Sequence, residues 1–251
     1  MYDRAPRLHV RRSSIFHVHA CTPPLQEYAF SSAGCGLNVR SDMLVSDFNL
    51  LGISGSLRRN SACTAILATL AGRLPCCAAM TVAPLHQLPL YNEDEDRGDA
   101  LRQIESFRSG IEAADGLLVI SPEYNHGISG VLKNAIDLVS RPGYDSVLKN
   151  KPVLVMSASN SPLGGVRAQM QLRETFASTL SRVVARRQVV IGQALQKVVD
   201  GKLVHEPTLE FIDDAIGDLL DEISLMRRAS QIDALGSLIR SKRKHQLTAE
   251  P

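Results

Sequence analysis

The sequence predicts a doubly wound α/β domain: five parallel strands in the order 2-1-3-4-5, with helices on both faces. Three observations point there. From residue 43 onward short apolar runs alternate with longer amphipathic ones, and strands alternating with helices imply right-handed crossovers and a parallel sheet. Several of the short runs are unbroken, as strands buried on both faces must be. Finally, 44% of the 251 residues are hydrophobic, yet only 4% are aromatic and none is tryptophan. Such a core is built from Leu, Val, Ile and Ala, and the chain is long enough to bury it.

Taken in order, residues 44–53 are strand-like and run into Gly52-Ile53-Ser54-Gly55-Ser56. Ser61 reads as the N-cap of a helix extending to residue 74. Residues 80–83 form a short second strand, and a polar loop over 88–98 holds the acidic patch 93–96, read as solvated. Residues 99–114 carry apolar and charged positions at helical spacing. Leu117-Leu118-Val119-Ile120 centre a third strand over 116–121, broken at Pro122, and a helix follows over 129–140. The fourth strand spans 152–156, the loop 157–165 leads into a helix over 166–180, and residues 188–191 make the fifth strand. A last amphipathic helix covers 207–227, with frayed helix and tail beyond it.

The domain organisation read from this is an N-terminal extension over 1–42, a ligand-binding domain over 43–229 and a C-terminal tail over 230–251. The first 42 residues are rich in Arg, Ser, His and Pro and poor in acids, without a period of 2 or 3.6. They read as disordered or as lying upstream of a true start at Met43, with an organelle signal as the alternative. Net charge is +2, so bulk charge singles out neither nucleic acid nor a membrane as partner. The basic clusters around Arg4 to Arg12 and Arg240 to Lys244 read as solvated tails. Cys21, Cys35, Cys63, Cys76 and Cys77 show neither C-x-x-C nor metal-ligand spacing. No metal is expected, and an odd count at irregular spacing fits reduced thiols in a cytoplasmic protein. No apolar run approaches the roughly 20 residues of a membrane span.

In a sheet of this order, ligands sit beyond the carboxyl ends of the strands. The loops after strands 1, 3 and 4 should therefore carry the chemistry, and they are also rich in Gly, Ser, Pro and Asn. The first, Gly52 to Ser61, lacks both G-x-G-x-x-G and the Lys-Ser/Thr of a Walker loop. Its glycines allow close backbone approach, its hydroxyls donate without charge, and a helix N-terminus stands behind it. Arg58 can fork over phosphate oxygens. A phosphate monoester suits this loop, and a plain turn is the alternative. Arg59 is left unassigned, because it could equally face solvent.

The second loop, Ser121-Pro122-Glu123-Tyr124-Asn125-His126-Gly127, should present backbone groups to a flat heteroaromatic ring, with Gly127 permitting unusual backbone angles. Glu123 has no partner for acid/base chemistry and reads as structural or helix-capping. His126 reads as a surface or interface residue. The third loop, Ser157 to Gly165, can close over the far side of the same ligand. Lys133 and Asp137 are four apart and fit a salt bridge.

Gly55-Ser56-Leu57-Arg58 with Ser61, then Ser121-Pro122-Glu123-Tyr124-Asn125 running into Leu132-Lys133-Asn134-Ala135-Ile136-Asp137 and Ser140-Arg141, resemble the NADPH-dependent FMN reductases. The quinone and chromate reductase branch is most similar, and Gly164-Gly165-x-Arg167-x-Gln169 with Leu172-Arg173 resembles that branch too. The resemblance spans residues 44–191 and implies a flavodoxin-like fold with noncovalent FMN. By position it implies that Ser54, Ser56, Arg58 and Ser61 hold the phosphate. Pro122, Glu123, Tyr124 and Asn125 would line the isoalloxazine, with Ser157 and Ser159 near its other edge. Arg141 is a candidate for an anionic substrate or the nicotinamide cofactor's phosphate. The chain departs from the family at Ser129, where a proline is common, and at Ala158, where a flavin-contacting serine is frequent.

The implied activity is transfer of electrons from NAD(P)H through FMN to a small-molecule acceptor such as a quinone, azo compound or metal oxyanion, in a homodimer or homotetramer. No catalytic residue is expected, since flavin N5 carries the chemistry. Two other readings remain: a reductase supplying reduced flavin to a partner monooxygenase, and a non-catalytic flavin-binding electron carrier.

Overall fold

The computed structural model describes residues 48–95 and 100–247, all within the unit Asp42–Pro251. The expected extension over 1–42, the start at Met43, Asp96 of the acidic patch and the N-terminal basic cluster lie outside the described residues. Along the chain come β1 (Phe48–Ser54), α1 (Ala62–Ala71), β2 (Ala78–Ala83), α2 (Ala100–Ala113), β3 (Gly116–Ser121) and α3 (Gly130–Val139). They are followed by β4 (Pro152–Ala158), α4 (Val166–Ser178), β5 (Arg182–Val183), β6 (Val189–Ile191), α5 (Ala194–Lys197), β7 (Val198–Val199), β8 (Lys202–Leu203) and α6 (Glu206–Leu247).

The main sheet has the expected order β2-β1-β3-β4-β5, every pairing parallel. Its last position is shared. β5 pairs with β4 at Pro152 and Val153, and β6 pairs with it at Met156, Ser157 and Ala158. The sequence reading found only the second piece, because a two-residue strand carries no periodicity. The hairpin β7–β8 was not anticipated either. Asp200 (φ 48°) and Gly201 (φ 73°) form its turn, and Asp-Gly is a residue pair that a two-residue hairpin favours.

Neighbouring strand residues point to opposite faces, and both faces are covered. Leu50, Leu118, Ile120, Leu154 and Met156 pack with α1 and α6. Leu51, Leu117, Val119, Val153 and Val155 pack with α2, α3 and α4, where Phe176 is fully buried. This two-sided burial explains the unbroken apolar runs of β3 and β4. In α6, Leu209, Ile212, Ile216, Leu219 and Ile223 are buried at alternating steps of three and four, one stripe of a 3.6-residue helix. The helix begins one residue before the expected Pro207 and runs on to Leu247.

One polar side chain ties the split edge to the centre. Gln169 on α4 is fully buried, and its Nε2 donates to the Val155 carbonyl of β4 (3.1 Å) and the Val189 carbonyl of β6 (3.2 Å). β6 leads directly into the segment that closes one wall of the cavity described below. We expect Gln169→Leu to lower stability by about 1–3 kcal/mol, the range for stripping buried acceptors of their donor. Denaturant unfolding should show a lower midpoint at unchanged m value; an unchanged midpoint would contradict this role.

Candidate functional site

The turn between β1 and α1 is built for an anion. Ser61 has extended backbone (φ −78°, ψ 125°), so its Oγ accepts the Thr64 N–H at 3.3 Å and caps α1. The other first-turn N–H groups have no intrahelical partner, and the helix dipole adds partial positive charge. Ser56, Arg58, Ser61, Ala62 and Cys63 line a cavity of about 210 Å³ at this end. Arg58 is exposed and has no ion pair or side-chain hydrogen bond among the described residues, so its charge is available to a ligand. Gly55 lets this turn lie against the next loop: a Cβ there would meet Ser129 Oγ at 2.9 Å and Pro122 Cδ at 3.1 Å. Ser54 is placed differently from its neighbours. It is 7% exposed, its Oγ lies 2.9 Å from Thr64 Oγ1 and accepts the Ser56 N–H at 3.4 Å, and it braces the turn from within instead of lining the cavity.

The loop after β3 supplies Pro122, Glu123 and Tyr124 to the same cavity. Its backbone corrects one expectation. Positive φ falls on Asn125 (49°) and His126 (66°), not on Gly127, and Tyr124 and Gly127 exchange both backbone hydrogen bonds at 3.0 Å. This is a two-residue hairpin turn, and Asn and His are among the residues that best tolerate such angles. Gly127 is instead a matter of space, since a Cβ would lie 2.8 Å from Gln171 Oε1, which accepts the Ile128 N–H. Asn125 sits exposed at the tip and does not line the cavity. Glu123 Oε2 accepts the Arg167 and Ala168 N–H groups at 3.0 and 3.1 Å. It thereby caps α4, whose own N-cap, Gly165, has no side chain to do so.

Beyond β4, Ala158, Ser159 and Asn160 form the facing wall. Ala158 offers no hydroxyl there. Ser157 is fully buried and donates to the Gly164 carbonyl at 2.8 Å, holding the loop rather than facing the cavity. Ala194 and Leu195 complete the wall. Asn160 Oδ1 accepts the Leu195 N–H at 3.1 Å, and the Ala194 N–H donates to the Ser159 carbonyl at 3.0 Å. Sequence reasoning missed Ala194 and Leu195, although the same rule placing ligands at strand carboxyl ends applies to the segment after the fifth strand. It also missed Ala62 and Cys63, the two residues that follow the N-cap.

Other candidates lie apart. Arg141 is not brought to this cavity; its guanidinium pairs with Glu93 at 3.0 Å and it lines a different concavity with Lys133 and Tyr144. Lys133 and Asp137 form the expected salt bridge at 2.7 Å. The His126 side chain is mostly exposed, 3.7 Å from Glu123. Among the described residues no His/Cys/Asp/Glu group could hold a metal, and no helix is long and apolar enough to cross a membrane.

The cavity thus combines first-turn N–H groups of α1, two hydroxyls and the Arg58 guanidinium, which has no ion pair among the described residues, with the apolar and small residues Pro122, Tyr124, Ala158, Ala194 and Leu195. A phosphate monoester with an attached planar ring fits this lining. Cys63, despite its place in the first turn, offers no nucleophile. Burial pushes its thiol up to about 12, outweighing the Ser61 hydrogen bond and the nearby Arg58 charge.

The family model for NADPH-dependent FMN reductases matches residues 48–196. The chain is 38% identical over 172 residues to an NAD(P)H-dependent FMN reductase of Pseudomonas aeruginosa, covering 68% of this chain and 92% of that protein. It is 31% identical over 179 residues to a quinone reductase of Escherichia coli K12, covering 68% and 94%. Among solved structures it superposes on FerB, a flavoenzyme NAD(P)H:(acceptor) oxidoreductase from Paracoccus denitrificans. The TM-score is 0.62 and the identity 27%, over 70% of this chain and 97% of that one.

The buried thiol carries a test. At pH 8 an aromatic disulfide reagent should label exposed Cys76 and leave Cys63 unmodified until the protein unfolds, as read by peptide mapping. Fast labelling of Cys63 in the folded protein would show that the thiol is open to solvent and contradict its burial.

Proposed function

The chain belongs to the NADPH-dependent FMN reductase family, and from that premise we propose that the cavity at the carboxyl rim binds FMN with its phosphate at the α1 N-terminus. The protein is an NAD(P)H-dependent oxidoreductase that uses FMN. The observation that carries this reading is the pairing of first-turn N–H groups with an Arg58 guanidinium that has no ion pair among the described residues. Bound FMN supplies the redox chemistry, taking electrons from NAD(P)H and handing them to an acceptor.

The chain's residues bind and orient. Ser56, Arg58 and Ser61 hold the phosphate, and Pro122 with Tyr124 borders the ring, faced by Ala158 and Ser159. Ser54, Glu123 and Ser157 act one step back: Ser54 braces the phosphate turn, Glu123 fixes α4, and Ser157 secures the loop opposite the ring. Asn125, at the exposed hairpin tip, reaches the ring edge or the incoming substrate from outside. Glu123, which lines the cavity, commits Oε2 to capping α4.

The acceptor is a small molecule, in keeping with relatives named quinone reductase, 2-hydroxy-1,4-benzoquinone reductase and NADPH azoreductase. Quinones, azo compounds and metal oxyanions form the acceptor class we assign. The protein works in the cytoplasm as a homodimer or homotetramer. Exposed Tyr124, Tyr144, Leu163 and Met170, on the loops and helix after β3 and β4, give a second copy apolar surface to cover. Residues 43–229 form the flavin-binding domain in this reading.

Anaerobic stopped-flow mixing of the FMN-loaded protein with NADPH should bleach the flavin's visible absorbance within seconds; flavin that stays oxidised for minutes would refute reductase activity. Arg58→Ala should raise the FMN dissociation constant about tenfold or more, the loss of one charge-assisted contact to phosphate. Unchanged retention on desalting would remove Arg58 from the phosphate site.

A further inference from the structure

The phosphate turn carries two consecutive arginines, and they serve different spaces. Arg58 lines the FMN cavity, whereas Arg59 lines a second cavity of about 380 Å³. The two cavities touch, because Ser61, Ala62 and Leu195 line both. On one side of the second space α1 presents Ala62, Ala65 and Ala68; on the other stand Leu195 and Val198, with Gly201 of the hairpin turn. α1 itself, Ala62–Ala71, contains no charged residue. Arg59 is exposed and has no ion pair or side-chain hydrogen bond among the described residues. Nearby on α5 and the hairpin, Lys197 and Lys202 outnumber Asp200.

We propose that this second cavity receives the adenosine half of the nicotinamide cofactor, with Arg59 contacting the ribose 2′-phosphate and so setting a preference for NADPH over NADH. The inference rests on the NAD(P)H-reductase reading above. A dinucleotide whose nicotinamide reaches the flavin ring is too long for the first cavity and must run outward along the rim. The shared Leu195 wall makes the second cavity a direct continuation of that path. Its small residues on one side and branched ones on the other leave an apolar slot suited to a flat adenine. A 2′-phosphate needs a cation that is not already committed; in the reading above Arg58 holds the flavin phosphate, while Arg59 has no ion pair among the described residues. The other concavities fit less well. The one beside Val82 and Phe107 has no cation in its lining, and the one holding Arg141 also contains Asp137 and Glu174. The one with Lys149, Lys151 and Arg227 also contains Glu112 and Asp115 and lies where β3 and β4 begin, at the opposite end of the strands.

The test uses the FMN-loaded protein. Calorimetric titration with adenosine 2′,5′-bisphosphate should show binding that Arg59→Ala weakens about tenfold, while adenosine 5′-monophosphate binds both proteins alike. In steady state, Arg59→Ala should raise KM for NADPH about tenfold, leaving kcat and the KM for NADH within about twofold. Ala65→Phe, which fills the slot, should raise KM for both cofactors. The proposal is overturned if Arg59→Ala changes NADPH and NADH equally or neither, if the bisphosphate binds it as tightly as wild type, or if the variant loses FMN. Failure of both cofactors to reduce wild-type flavin would instead refute the reductase reading, and the bisphosphate titration separates the two.

Discussion

Burial of the central sheet on both faces is the constraint from which the rest follows. β3 and β4 are apolar along nearly their whole length because α1 and α6 cover one side and α2, α3 and α4 the other. Such a sheet leaves no face for polar chemistry. Uncommitted N–H groups, hydroxyls and charge can gather only where strands stop. The segments after β1, β3, β4 and β6 all converge on one cavity there. Each is held by contacts to another: Gly55 to Ile120 by a backbone bond, Glu123 to the start of α4, Asn160 to Leu195. The rim segments are therefore tied to one another by hydrogen bonds of their own, which lowers the loop ordering that binding has to supply.

Side chains of the rim divide by the partners they have. The fully buried Ser157 hydroxyl donates to its own loop's Gly164 carbonyl, whereas exposed Arg58, half-exposed Ser56 and buried Ser61, which caps α1, line the cavity. Glu123 likewise has a structural partner: a carboxylate that lines the cavity caps α4, whose own N-cap is glycine. Cys63, desolvated beside Ser61, stays a neutral thiol and adds packing but no reactivity.

Much of this was legible in the sequence. β3 was readable to the residue because an unbroken apolar run ends at a proline, and the N-cap role of Ser61 followed from a hydroxyl ahead of an apolar helix. The sheet order and the family followed from alternation and from the Ser121-to-Asn125 motif. What escaped was set by tertiary context. Nothing in residues 182–183 alone marks a strand, since β5 exists only because β4 offers an edge. The positive φ at Asn125 and His126 depends on a hairpin closed by Tyr124 and Gly127, whereas the sequence drew attention to the glycine. Whether a serine faces a ligand or its own loop is a matter of side-chain direction, so Ser54 and Ser157 read the same as Ser56 and Ser159. Arg141, a candidate for an anionic substrate or the nicotinamide cofactor's phosphate, pairs with Glu93 and lines a separate concavity, a placement that chain order alone does not give.

In the proposed function the α1 N-terminus and Arg58 anchor the cofactor through its phosphate. Comparing FMN with riboflavin, which has the same ring and ribityl chain without the phosphate, tests it most directly. Fluorescence titration of the apoprotein should show riboflavin binding at least about a hundredfold more weakly than FMN, as expected when two or more charge-assisted contacts are lost. Equal affinity for the two would place the binding energy on the ring loops and contradict the account.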